Sequence, residues 1–259
     1  MINKVSQLKS KLGSNELTLG TWITIPHQAV VEILSSAGFE WMVLDLEHAA
    51  IDYQAMMNLI GHIQGIGMEA LVRVSKNEEV VIKRAMDAGA NGVIVPMVKN
   101  ATEAKEAVGY VKYPPHGKRG VGLSRAQQYG IGFESYKKWL EESSIVIVQV
   151  EHIESVNNLE AILQVEGVDG IIVGPYDLSA SMGMPGDFDK SEVVSALNQV
   201  IETTQKMNKS LGFHVISSDH QILLKKVLEG YKFLAFSLDF FFLGDMARSE
   251  MQKLKSLLK

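Results

Sequence analysis

Eight apolar, β-branched segments recur along the chain and alternate with segments of helical spacing. The apolar segments span residues 19–25, 41–47, 69–74, 92–98, 145–151, 170–175, 211–216 and 232–238. Between them, residues 52–65, 76–88, 101–111 and 154–165 repeat apolar side chains at three- and four-residue intervals, as one face of a helix does. Eight strand–helix units are typical of a closed parallel barrel. We therefore predict an α/β fold, a (β/α)8 TIM barrel, with residues 1–259 forming a single domain.

Four of the helix-to-strand junctions share a glycine. Gly38, Gly89, Gly167 and Gly230 each follow a predicted helix and precede a predicted strand. Glycine adopts the left-handed conformation that commonly ends a helix. The repetition favours one barrel over two unrelated domains, although an open doubly wound sheet uses the same junctions and stays an alternative.

One connection is much longer than the others. Residues 113–144, after the fourth strand, exceed the usual length of a connection in a βα unit. Such segments are commonly functional loops, so we expect a long loop or lid here. Its sequence GKRGVG lacks the GxxxxGK[ST] spacing of a nucleotide phosphate loop.

The composition excludes several classes of function. A formal charge of −5 gives the chain no general attraction for nucleic acid or anionic membranes. The absence of cysteine rules out disulfides and thiolate chemistry. The start of the chain lacks the apolar stretch of a signal peptide, and no apolar run reaches the ~18 residues of a membrane span. We expect a cytoplasmic enzyme or binding protein with neither nucleic-acid nor membrane partners.

Polar residues collect at the predicted C-terminal strand ends, where (β/α)8 barrels place their chemistry. They are His27, Asp45, Glu47, His48, Arg73, Gln149, Glu151, Asp177, His214 and Asp239. Gln149 and Glu151 lie two residues apart and therefore point to the same face of the fifth strand. A carboxylate that ends so apolar a strand requires a partner, because an unpaired buried charge is costly.

The types of these residues indicate metal-assisted chemistry. Glu151 and Asp177, from neighbouring strands, form an oxygen-donor pair for one hard divalent cation. Arg73 offers a fixed positive charge to a substrate carboxylate or a developing oxyanion, and His48 is the best candidate for a general base. A Schiff-base mechanism needs a lysine inside the barrel, and no predicted strand carries one in its C-terminal half.

Each assignment has a structural alternative. Glu151 could pair with Arg73 in a purely structural ion pair. Asp177 could cap a short helix. His48 could face solvent at the start of a helix, and Asp87, near the end of the third predicted helix, could be an ordinary solvated charge.

Several motifs, taken together, resemble one known family. FEWMVLDLEHA, VRV, DAGANGVIVPMV, YPPHGKRGVG, QVE and VEGVDGIIVGPYDLSASMG occur in this order and cover most of the chain. They resemble the 4-hydroxy-2-oxoheptanedioate aldolases (HpcH/HpaI) of the phosphoenolpyruvate/pyruvate barrel superfamily. The resemblance implies a metal-dependent pyruvate aldolase, a reversible carbon–carbon lyase that converts a 4-hydroxy-2-oxo acid to pyruvate and an aldehyde.

The resemblance also implies roles for individual residues. Glu151 and Asp177 would bind Mg²⁺, Mn²⁺ or Co²⁺, with His48 as proton acceptor and Arg73 as transition-state stabiliser. Gln149 and the backbone at Tyr176 would contact pyruvate, and Asp87 would raise the basicity of His48, at a distance or across a subunit boundary. Tyr176 stands where many members have a small residue, so we expect a different pocket shape. The family assembles as hexamers, trimers of dimers, and we expect a homo-oligomer here.

Three other functions are compatible with a barrel of this kind. The first is a citrate-lyase-type enzyme acting on a CoA thioester, for which Lys112, Lys118, Arg119 and Arg125 would be the available basic residues. The second is a sugar-phosphate isomerase or epimerase, which would need a phosphate cradle after the seventh and eighth strands. The third is a binding barrel without catalysis.

Overall fold

The structure is a computed structural model that describes residues 6–258. Residues 1–5, part of the segment read above for a signal peptide, and Lys259 lie outside the described residues. Within the described range, eight parallel strands pair in chain order and close into a barrel. The strands are β1 Thr18–Ile23, β2 Trp41–Asp45, β3 Glu69–Arg73, β4 Gly92–Val95, β5 Ile145–Val150, β6 Gly170–Val173, β7 Ser210–Val215 and β8 Phe233–Leu238. The predicted single-domain (β/α)8 barrel is therefore confirmed, and the open sheet is excluded.

Helices surround the barrel, as the apolar spacing predicts. Those before β5 are α1 Gln7–Gly13, α2 Gln28–Ser35, α3 Tyr53–Ile66, α4 Glu79–Asp87, α5 Ala101–Val111 and α6 Phe133–Ser143. Those after it are α7 Ile153–Asn157, α8 Leu159–Leu163, α9 Pro175–Ser181, α10 Ser191–Lys206, α11 His220–Leu228 and α12 Asp239–Leu257. The helix expected over 154–165 is divided into α7 and α8 at Asn158.

The junction glycines adopt the conformation that the sequence predicts. Gly38, Gly89, Gly167 and Gly230 have φ angles of 89°, 97°, 94° and 98°. This left-handed region is costly for residues with a Cβ atom. These four positions thus end their helices and turn the chain into the next strand.

The N-terminal end of the barrel is closed by large apolar side chains. Trp41 and Phe233 stack there with ring centroids 4.3 Å apart, and Leu8 and Leu12 of α1 join the same interior cluster. Gly20 faces Trp41 at a distance that no larger residue fits, since an added Cβ would lie 2.1 Å from Trp41 Cδ2. The barrel is therefore sealed at one end and open at the other.

The long segment 113–144 is not a lid over the mouth of its own barrel. It starts after α5 and ends at β5, and both of these chain ends lie at the N-terminal end of the barrel. It contains a 3-10 helix, Arg125–Gly130, and the whole of α6. Arg125 Nη1 donates to the Ala88 carbonyl and Nη2 to Gln64 Oε1, which fixes the segment against the ends of α3 and α4. The expectation of a lid was wrong because length alone does not indicate at which end a connection lies.

Within residues 6–258, no helix has both the length and the apolar character needed to span a membrane.

We predict that Gly20→Ala destabilises the barrel by about 1–3 kcal/mol, the usual cost of overpacking a well-packed core. The physical reason is that Trp41 cannot withdraw while it stacks on Phe233. Urea denaturation followed by tryptophan fluorescence measures the change.

Gly65→Ala is the matched control, because an added Cβ there meets nothing within 4 Å. This exposed position lies inside α3, where alanine raises stability by about 0.4–1 kcal/mol. Equal unfolding midpoints for the two variants would contradict the packing argument.

Candidate active site

Alternation along the strands directs the polar residues into the mouth of the barrel. Ile145 and Ile147 belong to the interior cluster, so Gln149 and Glu151 continue the same inward face. By the same parity, Val43 and Leu71 lie in the interior, and Asp45 and Arg73 follow them two residues later. Gln149 and Glu151 are buried, at 7% and 3% exposure. The mouth therefore has a polar floor over an apolar interior.

Asp45 and Arg73 form the central ion pair of this floor. They are paired in register on adjacent strands, and Arg73 donates from Nε to Asp45 Oδ1 at 2.9 Å and from Nη2 to Oδ2 at 2.6 Å. Burial opposes ionisation of Asp45, but the hydrogen bonds and charge of Arg73 hold its pKa below the ordinary value. The backbone N–H groups of Glu47 and His48 also donate to Asp45 Oδ1. Asp45 thus fixes both Arg73 and the turn that follows β2.

Trp22 and His214 form one side of the site. Their rings stack with centroids 4.4 Å apart, and the Arg73 guanidinium lies 5.3 Å from the centroid of the Trp22 ring. His214 Nε2 is 3.0 Å from the Ser237 carbonyl oxygen. Burial lowers the pKa of His214 to about 4, so its imidazole is neutral at physiological pH.

Glu151 is held by two donors at the end of β5. Its Oε1 accepts from the Met97 backbone N–H at 2.7 Å, and its Oε2 accepts from Gln149 Nε2. Met97 has a positive φ of 54°, an uncommon conformation for a residue with a side chain. Gly174 leaves the necessary space, because a Cβ there would lie 2.9 Å from Glu151 Cβ. Burial, together with the charge of Asp177, raises the pKa of Glu151.

Asp177 and Tyr176 lie on α9 at the edge of the mouth. A cavity of about 440 Å³ opens there, and Arg73, Gln149 and Asp177 all line it. Tyr176 lines the same cavity and is 60% exposed. The structure therefore brings Arg73, Gln149, Glu151, Tyr176 and Asp177 together, as the strand ends predict.

Negative charge is in excess at this site. Asp45, Glu47, Glu151 and Asp177 interact electrostatically, while Arg73 is the cation that acts on Glu47 and Glu151. Burial and the charges of Glu151, Asp45 and Asp177 together raise the pKa of Glu47 to about 7, although the charge of Arg73 lowers it.

Glu47 also has an unsatisfied atom. Its Oε2 is buried and takes part in no hydrogen bond with the residues that the structure describes. Arg73 Nη1 is 3.4 Å from this atom, which is an ion-pair contact rather than a good hydrogen bond.

The donor chemistry fits a hard divalent cation. Carboxylate oxygens are the ligands that such ions prefer, and one bound cation would offset most of the excess negative charge. Among residues 6–258, no cluster of three or more His, Asp or Glu side chains has the arrangement of a complete metal site. Glu151 and Asp177 could therefore supply two ligands, which leaves the other positions to substrate and water.

His48 lies at the rim, and its side chain is 68% exposed. Its Nε2 is 3.7 Å from Glu47 Oε2. It precedes α3 in an irregular segment, so it is not the first residue of a helix. This position gives His48 access both to the mouth and to solvent.

Asp87 is not part of this cluster within one chain. It is the last residue of α4, which runs from the mouth to the N-terminal end of the barrel. Its Oδ1 is 4.0 Å from Nε of the fully buried Arg119, and burial raises its pKa. Asp87 and His48 therefore lie at opposite ends of the barrel.

The structure bears on the structural alternatives for Glu151 and Asp177. Arg73 pairs with Asp45 rather than with Glu151. Asp177 lies in the first turn of α9, and no side chain of the described residues caps that helix. His27 does have a structural role, because its Nδ1 accepts from the Ala29 backbone N–H at the start of α2.

Sequence reasoning noted Asp45 and Glu47 at a strand end but gave them no role, and it missed Trp22. The signal for Asp45 and Glu47 was present in the two-residue spacing that puts both on the inward face. Trp22 lies within an apolar strand, where a binding-site tryptophan cannot be distinguished from a core tryptophan by sequence.

Comparisons with known proteins identify the family of the chain. A family model described as HpcH/HpaI aldolase/citrate lyase matches residues 18–243. A pyruvate aldolase of Rhizobium etli is 35% identical over 236 residues, which are 91% of this chain and 92% of that protein. A 4-hydroxy-2-oxo-heptane-1,7-dioate aldolase of Escherichia coli is 37% identical over 237 residues, 90% of this chain and 89% of the relative. The crystal structure of a HpcH/HpaI aldolase/citrate lyase family protein from Burkholderia cenocepacia is similar with a TM-score of 0.90, at 30% identity, and the match covers 96% of this chain and 98% of that one.

The raised pKa of Glu47 predicts how stability depends on pH in the metal-free protein. Folding raises this pKa from 4.5 to about 7, so between these values the folded state binds the proton more tightly than the unfolded state. The free energy of unfolding should therefore fall as pH rises from about 4.5 to 7, by roughly 1–3 kcal/mol for a shift of this size.

Chemical denaturation at a series of pH values with a chelator present measures this slope. Glu47→Gln should flatten it, while Glu79→Gln, on α4 at a side chain that is 44% exposed, should leave it in place. An unchanged slope in Glu47→Gln would show that Glu47 is not the titrating group.

Proposed function

The chain belongs to the HpcH/HpaI aldolase/citrate lyase family, and we propose that it is a divalent-metal-dependent pyruvate aldolase that reversibly cleaves a 4-hydroxy-2-oxo acid to pyruvate and an aldehyde. Its curated relatives are named aldolases, so the enzyme is of the carbon–carbon lyase type. The observation that carries the proposal is that the fixed guanidinium of Arg73 lines one cavity together with Gln149, whose amide donates to the buried Glu151.

In this proposal Glu151 and Asp177 hold the cation, which is Mg²⁺, Mn²⁺ or Co²⁺. Both are oxygen donors at the ends of adjacent strand units, and negative charge is in excess around them. When bound, the cation would supply positive charge that favours the enolate form of the 2-oxo acid.

The side chains of the mouth perform the remaining chemistry. The Gln149 amide and the backbone at Tyr176 orient the pyruvate part of the substrate. His48, through a water molecule, accepts the proton of the C4 hydroxyl while the C3–C4 bond breaks and its electron pair passes into the enolate. Arg73 stabilises the enolate oxygen, because Asp45 and Trp22 already hold its guanidinium in place. Protonation of the enolate at C3 gives pyruvate, and the other product is the aldehyde.

The structure offers little support for the other functions. Lys112 and Arg119, two of the basic residues considered for a CoA tail, are buried at 6% and 0% exposure. Lys112 Nζ donates to the carbonyls of Leu140 and Glu141 instead. A phosphate cradle after β8 is also disfavoured, because the Asp239 carboxylate accepts the N–H groups of Thr24 and Ile25 there.

We include a homo-oligomer, a hexamer built as a trimer of dimers, in the proposal. Asp87 and His48 lie at opposite ends of one barrel, so any effect of Asp87 on His48 by contact requires a second copy. The α12 helix adds exposed apolar side chains, among them Leu243 and Met246 at 69% and 65% exposure, that such a copy would cover. A cytoplasmic location, expected from the sequence, also belongs to this proposal.

Loss of either proposed ligand should weaken both metal binding and turnover. We predict that Glu151→Gln and Asp177→Asn each lower kcat/KM for pyruvate release by at least about 10²-fold, the usual scale for loss of transition-state charge stabilisation. Titration calorimetry with Mn²⁺ should show weakened binding in both variants, and a chelator should abolish the wild-type activity reversibly.

Asp52→Asn is the matched control, because this residue caps α3 with its side chain at the surface and asparagine caps about equally well. It should keep the wild-type Mn²⁺ affinity and turnover. Full metal-dependent activity in either Glu151→Gln or Asp177→Asn would refute the assignment of that residue.

A shared site predicts complementation between two inactive variants. His48→Ala and Asp87→Asn should each have low activity alone. Co-expressed at equal levels, they should recover about a quarter of the wild-type activity, because that fraction of the sites would combine an intact His48 with an intact Asp87 from another copy. Light scattering should give the mass of an oligomer, whereas a fully active monomer would contradict the shared site.

A further inference from the structure

The cavity at the mouth has an apolar wall on the side away from the ion pair. Val215 and Ile216 line it at the end of β7, Ile222 from α11, and Tyr176 and Phe188 from α9 and the segment that follows it. Ile216, Phe188 and Ile222 are 55%, 44% and 43% exposed. Whatever part of a substrate extends past Arg73 and Asp177 in this direction contacts hydrocarbon and aromatic surface.

The described residues of the chain itself supply no available positive charge to this wall. Among the described residues that line the cavity, Arg73 is the one basic side chain of the lysine or arginine type. Its guanidinium already pairs with Asp45 at 2.6 Å and contacts Glu47 at 3.4 Å. His214 also faces the cavity, but burial lowers its pKa to about 4, which leaves it neutral at physiological pH.

The helix dipole next to the wall is also compensated. Ile222 lies in the first turn of α11, whose N-terminus would otherwise favour an anion. The Asp219 carboxylate occupies that position and accepts the Gln221 backbone N–H at 2.8 Å. A second negative group at this end of the cavity would meet repulsion rather than a donor.

We propose that the aldehyde half of the substrate is uncharged and apolar, with an aliphatic or aromatic tail where a dicarboxylic substrate carries its second carboxylate. This inference rests on the proposed aldolase function and specifies its substrate class. A terminal carboxylate placed against Ile216 and Ile222 would lose water without gaining a cation, whereas a hydrocarbon tail gains from the same contact. In this respect the chain would differ from the Escherichia coli relative, whose name specifies a heptane-1,7-dioate.

Two substrates that differ in the terminal group alone test the proposal. 4-Hydroxy-2-oxoheptanoate would yield pyruvate and butanal, and 4-hydroxy-2-oxoheptane-1,7-dioate would yield pyruvate and succinic semialdehyde. We expect kcat/KM for the heptanoate to be at least about tenfold higher, because the carboxylate of the dioate would be partly desolvated without gaining a partner. Pyruvate release is measured for both with Mn²⁺ or Mg²⁺ present.

A new cation in the wall should reverse this preference. In Ile216→Lys, the ammonium replaces an exposed apolar side chain at the edge of the cavity, and the ratio of kcat/KM values should move toward the dioate by about tenfold or more. Ile216→Met is the matched control, because it keeps a long side chain without the charge, and its ratio should stay close to the wild-type value.

The outcomes separate this inference from the function on which it rests. A wild-type preference for the dioate, with pyruvate formed from both substrates, overturns the apolar subsite and leaves the aldolase function standing. No metal-dependent pyruvate release from either compound overturns the aldolase function itself. If Ile216→Lys does not fold, the wild-type comparison alone decides.

Discussion

The ion pair between Asp45 and Arg73 is the interaction on which the rest of the site depends. A buried guanidinium is stable only when it is paired in good geometry, and a lone Arg73 at this depth would be strongly destabilising. Asp45 accepts two parallel hydrogen bonds from it and also accepts from the backbone N–H groups of Glu47 and His48. The Asp45 carboxylate thus positions the Arg73 guanidinium, which is proposed to stabilise the enolate. It also positions the turn that carries His48, the proposed base. Because Asp45 is one of four carboxylates around this arginine, negative charge remains that would favour the proposed metal ion.

The backbone around Glu151 shows how the fold accommodates a buried carboxylate without a cationic partner of its own. Met97 takes a left-handed conformation that directs its N–H to Glu151, and Gly174 leaves room where any side chain would collide. Such strained or restricted positions cost free energy and persist where the surrounding structure fixes them. Gln149 completes the arrangement from two residues away. The three groups hold Glu151 in one orientation, which is the preorganisation that binding and catalysis require.

Most of the fold and part of the site follow from local patterns in the sequence. The two-residue period places Gln149 and Glu151 on the inner face, because it acts within a single strand. The eightfold alternation predicts the barrel, because the periodicity of each segment identifies it as a strand or a helix. The partner of Arg73 could not be predicted in this way: Asp45 is 28 residues away, and their contact depends on the register between β2 and β3. Segment 113–144 shows the same limit, since its length is local but its place at the closed end of the barrel depends on where α5 ends. The role proposed for Asp87 follows neither from local sequence patterns nor from strand register, because its proposed partner belongs to another copy.

The closed end of the barrel contributes mainly to stability, and the open end carries the proposed active site. At the closed end, Lys9 pairs with Asp169 at 2.6 Å and donates to the Ser144 carbonyl, next to an apolar plug. At the open end, Glu47 has an unsatisfied oxygen, and its pKa is raised to about 7 by burial and by neighbouring carboxylates. Ionisation of Glu47 at neutral pH therefore lowers the stability of the folded state. A bound cation would restore that stability, because it binds the ionised site more tightly than the protonated one. The excess charge that weakens the metal-free protein is thus the same property that would give the metal its affinity, and the well-packed closed end allows the fold to tolerate it.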